Sequence, residues 1–300
     1  MRVLVTGGAG FIGSHSVETL LAAGAEVTVL DNFSAGKLSN LPESARLRVI
    51  EGDIRDPAIV QRAATGASHV LHLAAQVSVR ASVETPVQSA GHNVTGFLNV
   101  ADAARRLGIV RLVYASSAAV YGAPRALPLD EESPCVPVSP YGLEKLVNDQ
   151  YAGLFASLYG VSMLGLRYFN VYGPRQDPGS PYAGVISRFA ARLARDEPLT
   201  VFGDGGQTRD FVFVKDVARA NLAALHSRCG GILNVGTGTS VTLLGLIDAL
   251  AHCSGRTPRV TFDPPATGDI RHSAMRPDRI RAALQFSAQT SLVDGLRTLI

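Results

Sequence analysis

Short runs of aliphatic and β-branched residues recur along the first half of the chain, each followed by a stretch with helical spacing. RVLVT (2–6), EVTVL (26–30), LRVIEG (47–52), HVLHLAA (69–75), RLVYASS (111–117) and SMLGLRYF (162–169) read as strands. They are apolar nearly throughout rather than alternating, the pattern of strands buried on both faces. Helical periodicity spans about 12–23, 86–107 and 140–159. This alternation predicts an α/β fold, a doubly wound parallel sheet of the Rossmann type. Beyond residue 170 the punctuation changes: NVYGPRQDPGSPYAG (170–184) is rich in Pro and Gly and marks a domain crossing. A second, smaller mixed α/β domain is expected after it, with FVFVKDVARANLAALH (211–226) and GILNVG (231–236) returning to the first. The expected division is 1–169 plus 211–235 against 170–210 plus 236–300.

Composition narrows the class. Of 300 residues, 46% are hydrophobic and 18% charged, with a net charge of +3, which suits a well-packed globule. The basic residues are scattered, so no nucleic-acid partner is expected. Three cysteines, Cys135, Cys229 and Cys253, show no C-x-x-C spacing. They argue against a disulfide framework or a metal site and fit a reducing compartment. MRVLVTGG runs straight into a strand pattern, which leaves no room for a signal peptide. No apolar run approaches the ~18 residues of a membrane span. A cytoplasmic protein without a membrane partner is the expectation.

VTGGAGFIGSH (5–15) sets Gly7, Gly10 and Gly13 between the first strand and the first helix. Glycines there let the backbone turn tightly and approach a pyrophosphate, which the helix N-terminus attracts. Asp31 ends the second strand about 20 residues on, where a carboxylate accepts from both ribose hydroxyls and repels a 2′-phosphate. The joint pattern points to NAD rather than NADP; the alternative is a structural turn with an ordinary surface Asp. In GDIRD (52–56), Asp53 and Ile54 sit at a strand's carboxyl end, placed for an adenine contact, although Asp53 by itself reads as a helix cap.

YASSAAVYG (114–122) puts Ser116 and Ser117 at the carboxyl edge of the sheet, and SPYGLEKLVNDQ (139–150) places Tyr141 and Lys145 one helical turn apart on one face. A phenol titrates near 10. A neighbouring ammonium and an oxidised nicotinamide both favour phenolate. With Ser117 binding a substrate hydroxyl, the three can take a proton from an alcohol while hydride leaves the same carbon. Tyr141 alone would read as a half-buried helix tyrosine; the glycine loop and Ser117 turn the reading toward catalysis.

Together these segments resemble the NAD-dependent epimerase/dehydratase family, the extended short-chain dehydrogenase/reductases, and within it the UDP-glucose and UDP-N-acetylglucosamine 4-epimerases. TGGAGFIG, LDNFSAGK, GDIRD, HLAA, ASSAAVYG, SPYGLEK, LRYFNVYGPRQ, VFGDGGQTRDFVFVKD, NVGTG and GDIRHS occur in the family's order over nearly the whole chain. The resemblance implies an NAD-binding first domain and a nucleotide-sugar-binding second one. It implies that Gly7, Gly10, Phe11, Ile12, Gly13, Asp31, Asn32, Ser34, Gly36, Asp53, Ile54, Leu73, Ala74, Ala75, Asn93, Tyr141, Lys145 and Tyr168 line NAD. Tyr141 is then the base, Lys145 its electrostatic partner and Ser117 the hydroxyl relay. Asn170, Val185, Thr200, Phe202, Arg209, Arg271 and Ser273 face the UDP-sugar, with Thr200 and Phe202 flanking uracil and Arg209 and Asn170 on the diphosphate.

The implied reaction is transient oxidation at sugar C4 by bound NAD⁺, rotation of the 4-keto sugar, and return of the hydride to its other face. A homodimer through a four-helix bundle of the helices near 90–107 and 141–159 is implied as well. The family's dehydratases carry an acidic residue after the serine; Ala118, Ala119 and Val120 supply none, which speaks against dehydration. Ser273 stands where the family gates the sugar's 2-substituent. A small residue there leaves room for N-acetyl, or is small for packing alone. Ala266 stands where many relatives have a diphosphate-gripping arginine, with Arg271 the candidate substitute, and Met275-Arg276 replaces the usual Ala-Asp. A UDP-uronate epimerase or decarboxylase and a 4-keto-sugar reductase use the same machinery. A non-catalytic NAD-sensing protein would share the fold, though not the need for Tyr141 and Lys145.

Overall fold

The computed structural model describes residues 1–124, 126–177, 179, 184–265 and 270–300. The chain begins β1 (Arg2–Thr6), α1 (Phe11–Ala22), β2 (Glu26–Asp31), β3 (Leu47–Glu51), α2 (Pro57–Ala64) and β4 (His69–His72). It continues α3 (Val79–Glu84), α4 (Pro86–Ala90), a π-turn (Gly91–Thr95), α5 (Gly96–Arg106), β5 (Arg111–Ser117) and α6 (Pro140–Tyr159). Then come β6 (Met163–Tyr168), β7 (Asn170–Tyr172), α7 (Val185–Ala194), β8 (Leu199–Phe202), β9 (Thr208–Phe213) and α8 (Val214–His226). The last elements are β10 (Gly231–Val235), β11 (Ser240–Thr242), α9 (Leu243–Ser254), β12 (Val260–Asp263), α10 (Asp278–Leu284) and α11 (Leu292–Arg297).

Seven strands form one sheet in the order β10-β6-β5-β4-β1-β2-β3, all parallel. Successive residues of each strand enter opposite layers. Val3 and Val5 pack under α1 and α8 with Val17, Leu20, Val217 and Ala220. Leu4 packs on the other face with Val60, Phe97, Val100 and Ala152. Both faces are covered, which is why the strands read as unbroken apolar runs. The strand order reverses between β1 and β4, opening the crevice at their carboxyl ends where ligands of such sheets bind.

A three-stranded sheet (β11-β9-β7) and a two-stranded one (β12-β8) pack with α7, α9 and α11 around a third core that includes Phe189, Leu193, Val201 and Leu246. The chain passes between the two units repeatedly. β9 straddles residue 211 and pairs with β7 and β11, while Ile280 on α10 and Phe286 return to the core under α1 and α8.

The helix expected over 86–107 is present as one continuous helical run from Pro86 to Arg106, through α4, the π-turn and α5. Pro86 starts α4 after Ser78 has capped α3 through the Ala81 N–H at 2.9 Å, and residues 91–95 widen into a π-turn. The strand expected over 69–75 leaves the sheet after His72; the Leu73 N–H still reaches the Thr6 carbonyl at 3.0 Å. Among the described residues, no helix is long and apolar enough to cross a membrane.

Candidate active site

The glycine loop is shaped by close backbone approach. Gly7 has φ +70°, and a Cβ there would lie 2.7 Å from the Ala74 nitrogen. A Cβ on Gly13 would lie 2.0 Å from the Gly7 carbonyl oxygen. Gly10 precedes α1 with no side-chain cap. The N–H groups of the first turn, Phe11, Ile12 and Gly13, are therefore left to an outside acceptor, the arrangement that suits a pyrophosphate.

Asp31 is buried at the rim, its Oδ2 accepting from the Ala9 N–H and its Oδ1 from the Phe33 N–H, both at 2.9 Å. The Ser34 hydroxyl donates to Asn32 Oδ1 at 2.7 Å, and Gly36 packs on Ala9, so residues 32–36 fold over the glycine loop. Asp53 is not the helix cap its position allowed: Asp56 caps α2, accepting from the Ala58 N–H at 2.9 Å. Asp53 instead joins Asn32 at 3.1 Å and Arg55 at 2.8 Å; the Arg55 hydrogen bonds hold its carboxyl well below the usual range. Ile54 is buried beside Gly96. An uncapped helix start, a tight glycine turn and a carboxylate at the end of β2 fit NAD.

Two expected cofactor residues are placed otherwise than as direct liners through their polar groups. The Tyr168 hydroxyl donates to Asn221 Oδ1 at 2.7 Å, and Asn221 Nδ2 donates to Ser16 at 3.0 Å. Tyr168 thus belongs to the layer between the sheet and α1/α8, because strand alternation turns it that way. Asn93 gives its amide to structure. Its Oδ1 accepts from the Gln76 N–H at 2.8 Å, and its Nδ2 donates to the Gln76 carbonyl at 2.8 Å and to Glu144 Oε2 at 2.6 Å. It holds the segment that carries Leu73, Ala74 and Ala75 out of β4.

The catalytic candidates converge. Ser117 ends β5, its hydroxyl accepting from the Ala119 N–H at 3.2 Å and near enough to the Tyr141 phenol to favour its ionised form. Tyr141 and Lys145 open α6, which Ser139 caps through the Gly142 N–H at 3.1 Å and Pro140 starts. The Lys145 ammonium lies 5.9 Å from the Tyr141 ring centroid and donates to the Ala115 carbonyl at 3.0 Å. Burial lowers Lys145 to about 8, against the carboxylates of Asp149 and Glu144. Burial raises Tyr141, the Ser117 hydroxyl opposing it and the Glu144 charge adding to it.

Sequence reasoning missed what stands behind this turn. Asp149, four residues past Lys145, accepts from Arg167 Nε at 3.0 Å and from the Tyr114 hydroxyl at 3.1 Å. Arg167 also donates to the Tyr121 hydroxyl at 2.9 Å. Continuing the Tyr141–Lys145 spacing by one more turn would have reached Asp149; nothing in the pattern pointed to Arg167, two residues before Phe169 on an apolar strand.

The substrate candidates lie on converging edges. Asn170 starts β7 directly after β6, and β7 pairs with β9 in the register Asn170–Phe211. The Arg209 guanidinium donates to the Thr208 carbonyl at 2.9 Å. Ser273 N–H donates to the Thr208 carbonyl at 3.1 Å, and Thr208 N–H to the Arg271 carbonyl at 3.0 Å. Residues 271–273 therefore run beside the start of β9. Gln207 Nε2 reaches the Phe202 carbonyl at 2.9 Å, which joins the end of β8 to the same edge; Phe202 is exposed. The Thr200 hydroxyl accepts from Arg192 at 3.0 Å. Val185 starts α7 against the third core. The Arg271 guanidinium forms a fork with Asp204 at 2.6 and 2.7 Å. Ala266 lies outside the described residues.

Residues 3–236 match the NAD dependent epimerase/dehydratase family. The UDP-glucose 4-epimerase of Mycolicibacterium smegmatis is 40% identical over 302 residues, 99% of this chain and 96% of that protein. The structure of the Thermus thermophilus UDP-glucose 4-epimerase in complex with NAD superposes with a TM-score of 0.92 at 42% identity, covering 100% of this chain and 97% of that one. The UDP-N-acetylglucosamine 4-epimerase of Methanobrevibacter ruminantium, in complex with UDP-N-acetylmuramic acid, superposes with a TM-score of 0.95 at 35% identity, covering 99% of this chain and 97% of that one.

Proposed function

The chain belongs to the NAD dependent epimerase/dehydratase family, and on that premise we propose that it inverts C4 of UDP-hexoses, UDP-glucose and UDP-galactose, with NAD as its resident cofactor. The observation that carries the reading is the convergence of Ser117, Tyr141 and Lys145 at the carboxyl edge of β5, beside a glycine loop whose helix N-terminus is uncapped.

Bound NAD⁺ would supply the hydride acceptor and a positive charge that favours phenolate. The first-turn N–H groups of α1 would hold its pyrophosphate, and Asp31 its ribose. Ser117 passes the C4 hydroxyl proton toward Tyr141, whose phenolate receives it and later returns it. Lys145, fixed by the Ala115 carbonyl, holds a cation behind the phenolate. Arg209 and Asn170 face the diphosphate, and Thr200 and Phe202 the base. Arg271, paired with Asp204, exchanges that carboxylate for phosphate. Ser273 leaves space beside C2, so UDP-GlcNAc and UDP-GalNAc are accepted as well. Residues 1–169 with 211–235 carry the cofactor and 170–210 with 236–300 the nucleotide sugar. The enzyme works in the cytoplasm as a homodimer.

The test is proton NMR of purified protein with UDP-glucose in one tube and UDP-GlcNAc in another, without added NAD. Inversion at C4 in both is expected. Inversion of UDP-glucose alone discards the Ser273 argument and keeps the reaction. Stoichiometric NAD consumption, or release of CO₂ from a uronate in place of inversion, would replace the epimerase by a reductase or a decarboxylase.

A further inference from the structure

Glu144 is a buried carboxylate to which the epimerase reading gives no work. It sits between Tyr141 and Lys145 on the first turns of α6, with about a twentieth of its surface accessible (5%). Its Oε2 accepts from the Ser89 hydroxyl at 2.8 Å and from Asn93 Nδ2 at 2.6 Å. Both donors are neutral. The same Asn93 clamps Gln76 through two hydrogen bonds of 2.8 Å, and its carbonyl accepts from Asn148 Nδ2 at 3.0 Å, one turn further along α6. Glu144 thus joins three pieces: the turn that carries the phenol and the ammonium, the π-turn, and the segment leaving β4 at the cofactor crevice.

Hydrogen bonding alone does not call for a carboxylate. A glutamine would accept from both donors through its carbonyl oxygen. Burying a charge beside neutral donors is expensive, so the charge itself must be used nearby. We propose that Glu144 is a positioning residue for the epimerisation: it fastens the catalytic turn of α6 to the cofactor side of the crevice and places a fixed negative charge beside the Tyr141–Lys145 pair.

The surroundings make that charge legible. Asp149 on α6, with Arg167 of β6 behind it, and His72 of β4 face Lys145; Tyr114 of β5 faces Asp149. Burial and the Lys145 charge lower His72 to about 3, which keeps it neutral. α3 presents Ser82, and α4 and the π-turn present Ser89 and Asn93. Glu144 pushes both Tyr141 and Lys145 upward. Removing its charge lowers both. Loosening the site does something different: it relieves burial, which has raised Tyr141 and lowered Lys145, and so moves the two in opposite directions.

That difference gives the experiment, which rests on Tyr141 as the base. The kcat–pH profile of the holoenzyme is measured for wild type and Glu144→Gln. Both limbs are expected to move to lower pH by about half to one unit, a roughly three- to tenfold change in each proton affinity. Profiles that superimpose after scaling, or limbs that move in opposite directions, overturn the proposal. Glu144→Ser carries the same comparison should the glutamine variant not fold. Wild type without turnover would remove the epimerase reading, and Tyr141→Phe with full turnover the base assignment; both are read before the variants at 144.

Discussion

At the scale of single residues, the site is a contest between burial and charge. Lys145 is held near 8 against an ordinary 10.5. Its unfolded form therefore binds a proton more tightly than its folded form between those values, and the group's contribution to stability rises with pH through that window. Below about 8 it is at its least favourable. Lys145→Met is thus expected to leave the melting temperature at pH 7 unchanged or higher while turnover falls; a large drop in melting temperature would show a structural lysine instead. Tyr141→Phe is expected to lower kcat by on the order of 10² to 10⁴-fold, with NAD still retained through gel filtration. The residue types and their spacing were readable in SPYGLEK. The burial that sets their proton affinities was not, because it comes from β4, β5 and the π-turn, which are distant in sequence. The sequence reading counted on Lys145 to lower Tyr141; in the fold, Ser117 opposes a rise that burial dominates.

At the scale of elements, periodicity located α6 because Ser139 and Pro140 announce its start and Gly160, in the left-handed conformation, its end. It located the helical run 86–106 as well, but neither the π-turn at residues 91–95 inside it nor the short α3 ahead of Pro86. A π-turn leaves no periodic mark over five residues. Packing between elements yields two predictions. Gly13→Ala forces a methyl to 2.0 Å from the Gly7 carbonyl, so the first turn of α1 must shift away from the loop. Loss of NAD on gel filtration is expected, while retention at the wild-type level would show that the loop yields. Arg167→Met leaves the Asp149 carboxylate in the interior with Tyr114 alone to donate. A loss of about 3–5 kcal/mol is expected in urea unfolding. Burial already raises Asp149, so this deficit should shrink as pH falls and the carboxyl takes up a proton; a deficit independent of pH would place the cost in packing rather than charge.

At the scale of the whole molecule, the apolar surface left over by the fold has a direction. Val79 and Val83 on α3, Val87 on α4, and Leu143, Leu154 and Leu158 on α6 are exposed, with Tyr151 at the margin. On α6 the spacing 143, 151, 154, 158 keeps one stripe along the outside of the helix whose inside carries Glu144, Lys145 and Asp149. A helix with apolar residues on its outer face asks for a partner surface, and α3, α4 and α6 lie side by side. The resemblance implied the helices near 90–107 and 141–159 for this role; the exposed apolar residues of α6 lie in the second span, while the exposed valines belong to α3 and α4, ahead of the first. Two copies joined here would set α6 against α6, with the catalytic turns inside each protomer. Light scattering on the purified chain is expected to give twice 31.5 kDa. Leu154→Glu with Leu158→Glu, both facing outward at the end of α6 far along the helix from Tyr141, should give a monomer of unchanged secondary structure. A wild-type monomer would remove the dimer, and a dimeric double variant would move the interface off this face.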